Sequence, residues 1–199
     1  MRNFDKNYSL VRMLHAVPGL ETVDIYLNQD PFFYNMRFTN FSPYVYVPKG
    51  KYLMQVFPRD KKTNPIFEQE IEIDGGKLLT VALIGERDQL EILPIEEDTE
   101  IPEGNQSKVR LVNLVPDGLY INMYFDDDIF VSESNFRSIS PYELMDPGTY
   151  RVEIELVENN QLIRKLRITI NPSRIYTIYA IGNKPNFQLF QSLDGATFL

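Results

Sequence analysis

At 199 residues, with 43% hydrophobic and 13% aromatic side chains, the chain can bury one large core or two smaller ones, which excludes wholesale disorder. The absence of cysteine excludes disulfides, thiolate metal sites and a cysteine nucleophile. The net charge of −8 is concentrated: 11 Lys/Arg stand against 12 Asp/Glu over residues 1–95, 0 against 5 over 96–107, and 9 against 11 over 108–199. Neither half therefore has the basic stripe that a nucleic-acid backbone requires, and no nucleic-acid partner is expected.

The opening residues show no apolar core behind a basic segment and no small-residue cleavage pattern, so a cytoplasmic or spore-associated location is expected over export. No apolar run reaches the length of about 18 residues needed to span a bilayer, so no membrane insertion is expected. Strands are predicted at residues 10–16 and 23–27, after Ser42-Pro43-Tyr44, and from Gly50-Lys51-Tyr52 onward with Tyr52, Met54 and Val56 inward. Further strands are predicted at 66–73, 78–84 and 91–95. Residues 96–107, with Pro102, Gly104 and five carboxylates, read as an acidic, extended linker. The second half repeats the pattern at 109–114, 121–125, 150–156, 162–170, 175–181 and 187–190. The expected fold is all-β, two tandem antiparallel β-sandwich domains of roughly seven strands each, at 1–95 and 108–199.

The two halves are copies. At an offset of 98, Arg12 falls on Arg110, Tyr26 on Tyr124, Ser42-Pro43-Tyr44 on Ser140-Pro141-Tyr142, Gly50 on Gly148 and Tyr52 on Tyr150. At 97, Thr80 meets Thr177 and Ile84-Gly85 meets Ile181-Gly182. The turns Pro48-Lys49-Gly50 and Asp146-Pro147-Gly148 suggest glycine at positive φ, and Gly-x-Tyr opening an inward-facing strand suggests a tyrosine corner, in which the phenol hydroxyl bonds a nearby backbone group.

The phrases Arg12-Met13-Leu14-His15-Ala16-Val17-Pro18, Val23-Asp24-Ile25-Tyr26, Ser42-Pro43-Tyr44 and Pro48-Lys49-Gly50-Lys51-Tyr52 resemble the bacterial domain-of-unknown-function family 4397. The second copy departs from that pattern, with Asn113 in place of the histidine and Ile121-Asn122-Met123-Tyr124 in place of the second phrase. The resemblance implies immunoglobulin-like or transthyretin-like sandwiches, often in tandem and often on exported bacterial proteins. It implies no catalytic residue and no cofactor.

His15 is the only histidine, and Asn113 occupies its place in the second copy. Both are read as structural, bonding the backbone of the following loop, because asparagine cannot stand in for a base. Asp126, Asp127 and Asp128 form a weak Ca²⁺ candidate that competes with a solvated hairpin turn; no Asp-x-Asp-x-Asp-Gly loop supports the metal. Arg12, Asp24 and Tyr26, with Arg110, Asn122 and Tyr124, are expected to face outward. They form either cross-strand sets or a repeated binding surface that would give avidity if both copies were accessible. The run Phe32-Phe33-Tyr34 with Phe38 and Phe41 is retained in the second copy only as Phe130 and Phe136. The expected function is a non-enzymatic binding or assembly module for a protein or polysaccharide partner, envelope- or spore-layer-associated. A hydrolytic, carbohydrate-active enzyme using loop carboxylates is the alternative.

Overall fold

The computed structural model describes residues 5–198 and divides the chain into two compact units at Thr99/Glu100. The first unit contains β1 (Tyr8–His15), β2 (Val23–Leu27), β3 (Asp30–Met36), β4 (Val45–Pro48), β5 (Gly50–Pro58), β6 (Phe67–Ile73), β7 (Leu78–Glu86) and β8 (Gln89–Glu97). The second contains β9 (Ser107–Asn113), β10 (Ile121–Phe125), β11 (Asp128–Ser134), β12 (Glu143–Met145), β13 (Gly148–Leu156), β14 (Gln161–Ile170), β15 (Ile175–Ile181) and β16 (Gln188–Leu193). A 3₁₀ turn, Gly195–Phe198, follows. Among the described residues no helix is long and apolar enough to cross a membrane.

Each unit is two four-stranded sheets, in the orders β4-β1-β7-β8 and β3-β2-β5-β6, repeated as β12-β9-β15-β16 and β11-β10-β13-β14. The all-β, two-sandwich expectation holds, with eight strands per copy. The added strands are β3 and β11, whose bulges against β2 and β10 break the alternation by which a strand is recognised. One pair per copy departs from the antiparallel expectation: β1 runs parallel to β7, and β9 to β15.

Alternation fills each core. Val11 and Met13 on β1, Ile25 on β2, Met54 and Val56 on β5, and Val81 and Leu83 on β7 meet between the first pair of sheets. Leu111, Met123, Ile154 and Ile178 do so in the second. Burial of one such side chain contributes about 1.5–3 kcal/mol.

The repeated Gly-x-Tyr phrase is a tyrosine corner: the Tyr52 hydroxyl donates to Pro48 O at 2.7 Å, and Tyr150 to Asp146 O at 2.8 Å. The reason for the glycine is corrected. Gly50 and Gly148 are absent from the positive-φ positions; instead the tyrosine ring folds back over them, and a Cβ would meet it at 3.6 and 3.3 Å. The linker also begins later than expected, since β8 runs on to a fully buried Glu97.

Candidate functional site

The serine of Ser-Pro-Tyr accepts from a strand amide, Met13 N on Ser42 Oγ at 2.8 Å and Leu111 N on Ser140 Oγ at 3.0 Å. The tyrosine reaches further. Tyr44 donates to both carboxylate oxygens of Glu97, at 2.9 and 2.8 Å, and Tyr142 to Asp194. Arg12 completes the first cluster: Nε donates to Thr80 Oγ1 at 2.7 Å, Nη2 lies 3.1 Å from Glu97, and the guanidinium stacks on Phe41 and Tyr44. In the second copy Arg110 Nε donates to Thr177 Oγ1 at 3.0 Å and stacks on Tyr142, but Asp194 is one methylene shorter and stands 3.9 Å away. Burial first, then the Asp194 charge, pushes the Tyr142 hydroxyl far above its ordinary pKa, so it stays a hydrogen-bond donor.

These contacts correct the placement of Arg12 and Arg110. Both point away from the core between the sheets, yet each is only 4% exposed, and they are interior ion-pair residues rather than surface ones. Asp24 and Tyr26 are not their cross-strand partners, because β1 and β2 belong to opposite sheets. Asp24 is buried and accepts from the amides of Asn35 at 2.9 Å and Asp60 at 3.1 Å; Asn122 accepts from Glu133 N at 2.9 Å. Asn35 and Glu133 have φ of 56° and 51°, so Asp24 and Asn122 each hold a bulge, a task that needs an acceptor oxygen and no charge. Tyr26 is buried and Tyr124 half-buried, so two equivalent accessible surfaces do not exist and avidity from them is dropped. Glu97, Thr80 and Tyr44, with their counterparts Asp194, Thr177 and Tyr142, were not among the expected site residues. The acid-on-acid coincidence of 97 and 194 at the same offset of 97 as Thr80 and Thr177 was the available signal.

His15 and Asn113 do the same work. Val17 N donates to His15 Nδ1 at 3.3 Å and Val115 N to Asn113 Oδ1 at 3.0 Å, while His15 Nε2 faces Glu21 O at 3.3 Å and Asn113 Nδ2 donates to Ser134 O. The accepting Nδ1 places the proton on Nε2, and burial lowers the His15 pKa. Below about pH 6.5 the unfolded chain binds a proton that the folded chain resists, so stability is full above that pH and is lost as pH falls toward the lowered folded value. His15→Asn, which installs the residue of the second copy, is expected to retain the fold and flatten this dependence. Urea midpoints measured from pH 8 to 5 on both proteins check it; parallel curves would refute it.

The Ca²⁺ candidate does not assemble. Asp126 Oδ1 accepts from Arg151 N at 3.0 Å and Asp127 pairs with the Arg151 guanidinium, so two of the three carboxylates are committed to a hairpin turn. No group of three or more candidate metal ligands converges among the described residues.

The aromatic run of the first copy is divided among tasks. Phe33 enters the core with Phe32 against it, Phe38 meets the edge of His15, and Phe41 lies under Arg12. Tyr34 alone stays out, 50% exposed, on the outer face of sheet β3-β2-β5-β6. There its ring centroid is 6.0 Å from that of Tyr26, which packs edge-on against Phe57 at 5.1 Å. The β5–β6 hairpin folds back so that Lys62 Nζ lies 5.4 and 6.0 Å from the two tyrosine rings. Between hairpin and sheet is a groove of about 390 Å³ lined by Tyr26, Gln55, Phe57, Lys62, Thr63 and Pro65. Side-chain hydrogen bonding to the Tyr26 hydroxyl is the first cause that raises the pKa of both Tyr34 and Lys62, so that hydroxyl lies at their junction.

The second copy has no such face. Ser132 and Glu155 stand where Tyr34 and Phe57 would be, and its hairpin is shorter. Around Tyr124 the strands carry the ion pairs Arg151–Glu153 and Lys165–Glu153. Clefts also open at the loop ends, one of about 440 Å³ beside Leu20, Pro58, Ile66 and Arg87, and one of about 510 Å³ beside Leu119, Tyr120 and Glu158.

A family model described as "Domain of unknown function (DUF4397)" matches residues 9–118 and 107–197, and the chain belongs to that family, which it contains twice. No curated protein matches. Among solved structures, one titled "Alpha-glucan binding by a streptococcal virulence factor" is 12% identical, covering 92% of this chain and 96% of that one at a TM-score of 0.27. Another, "The fimbrial anchor protein Mfa2 from Porphyromonas gingivalis", is 8% identical, covering 94% and 98% at 0.22. At those TM-scores neither carries an argument about this chain.

Proposed function

We propose that this tandem member of the family is a non-enzymatic binding module that takes a saccharide chain in the outer aromatic groove of its first copy, with the second copy as scaffold. The observation that carries the proposal is the groove lined by Tyr26, Gln55, Phe57 and Lys62, with Tyr34 exposed beside it at 6.0 Å from the Tyr26 ring. Binding sites combine apolar aromatic lining with a few convergent polar groups, and a sugar ring offers both an apolar C–H face and hydroxyls. The same face of the second copy keeps the scaffold and exchanges aromatics for charges, which is the pattern of a duplicated domain with one specialised surface. The non-enzymatic reading is supported by the residues that chemistry would recruit: His15 is held between two backbone groups, and Glu97 and Asp194 are committed to buried clusters. The envelope or spore-layer setting belongs to the same proposal.

Affinity electrophoresis against soluble α- and β-glucans, chitin oligosaccharides and peptidoglycan fragments tests it. At least one is expected to retard the protein, Tyr34→Ala to weaken binding about tenfold, in line with an aromatic hot spot, and Tyr124→Ala to leave it unchanged. Failure to bind any of them, or indifference to Tyr34→Ala, would overturn the reading.

A further inference from the structure

β6 and β14 are equivalent strands at the same edge of equivalent sheets, and they carry opposite charge. Along β6 the outward, exposed residues are Glu68, Glu70 and Glu72; along β14 the exposed charged residues are Arg164, Lys165 and Arg167. Aligned through Gly50↔Ile73 and Gly148↔Ile170, Glu68 corresponds to Lys165 and Glu70 to Arg167, so the duplication has reversed the sign at these two positions, while Glu72 corresponds to Thr169. Glu68 accepts from Gln55, and Lys165 is paired with Glu153 at 2.5 Å. Among the described residues Glu70, Glu72, Arg164 and Arg167 make no salt bridge.

Five of the six remaining edges are poorer templates. β3 and β11 are interrupted by bulges, β4 and β12 are short, and Gln69 caps both backbone groups of Ile92 on β8. β6 pairs with β5 without a register shift over its whole length.

Charges on an edge strand ordinarily protect it from pairing with its own kind. That protection holds for β6 against β6 and for β14 against β14, and it becomes attraction for β6 against β14. We propose that β6 of one molecule joins β14 of a second copy of this chain, antiparallel, with Glu70 opposite Arg167, Ile71 opposite Leu166 and Glu72 opposite Lys165. In that register unlike charges share the outer face and apolar residues share the inner one, as cross-strand pairing requires. The pairing stops short of Thr169, whose carbonyl already accepts from Gln191. Strand addition at an exposed edge takes its affinity from main-chain bonds and its specificity from side chains. The interface joins two different surfaces, so each associated pair keeps one free basic and one free acidic edge, and association runs head to tail into chains or closed rings. It is independent of the saccharide reading.

Sedimentation velocity of the purified full chain over a range of concentrations tests it. Mass is expected to rise with concentration at low salt and to fall back at high salt. Glu70→Lys/Glu72→Lys has two basic edges and Lys165→Glu/Arg167→Glu two acidic ones; each alone is expected to be monomeric, with association weakened at least tenfold. Mixing the two variants restores it. Because the chain has no cysteine, oxidising Glu70→Cys together with Arg167→Cys is expected to give a cross-linked dimer of the two variants. A single mass at every concentration and salt, or charge-reversed variants that associate as the parent does, would overturn the proposal.

Discussion

Arg12→Ala is expected to lower the stability of the first copy by about 3–5 kcal/mol, the cost of leaving a buried carboxylate without its counter-charge. Glu97 is 2% exposed, and among the described residues Arg12 is a cation beside it at 3.1 Å; Thr80 and Tyr44 donate to it but carry no charge. Truncation also removes the guanidinium from the faces of Phe41 and Tyr44. Arg110→Ala is expected to cost less, because the Arg110–Asp194 separation is already 3.9 Å and the pair contributes less attraction. Urea midpoints of both variants against the parent measure the difference.

A control separates charge from packing. Arg12→Met with Glu97→Leu removes both charges and keeps volume, and such replacements of buried pairs are neutral or stabilising in other proteins. If the double variant recovers most of what Arg12→Ala loses, the uncompensated carboxylate is the cause. If it is as unstable as the single variant, the stacking of Arg12 on Phe41 and Tyr44 carries the effect.

The same cluster marks where residue patterns stop being informative. The duplication follows from ordered coincidences at one long offset, and the inward phases of β1, β5 and β13, the tyrosine corners and the amide contact shared by His15 and Asn113 follow from local spacing, because each rests on a period of two or on a partner a few residues away. The burial of Arg12 has no such local signal. An arginine in an outward phase reads as solvated, and its partner Glu97 sits among acidic residues that read as linker, so nothing nearby shows that the two charges meet. An outward phase puts Asp24 and Tyr26 beside Arg12 only if β1 and β2 share a sheet, whereas here β1 pairs with β4 and β7 while β2 crosses to the other sheet. The groove over Tyr26 was illegible for a further reason: it depends on the β5–β6 hairpin folding back to bring Lys62 over the rings, a tertiary event without a periodic signature.

Gly85→Ala and Gly182→Ala are expected to cost about 3–5 kcal/mol each, combining backbone strain with overpacking. Both glycines close the repeated Ile-Gly phrase where β7 enters its hairpin with β8, and β15 leads on to β16. Their φ angles are +99° and +95°, beyond the left-handed region that an L-residue tolerates at modest cost. Space is missing as well, since a Cβ would stand 2.2 Å from Gln89 O and 2.3 Å from Asn186 O. Those obstacles are backbone carbonyls on the facing side of the hairpin, so relief requires moving the strand rather than turning a side chain. Gly19 separates the two contributions: its φ is +73° but nothing lies within 4 Å of its Cβ position, so Gly19→Ala carries strain alone, about 1–2 kcal/mol. Thermal unfolding of the three variants should therefore rank Gly19→Ala as the mildest, with the other two similar to each other. Equal losses at Gly19 and Gly85 would show that φ alone requires the glycine, and that the close approach of the hairpin carbonyl is accommodated without cost.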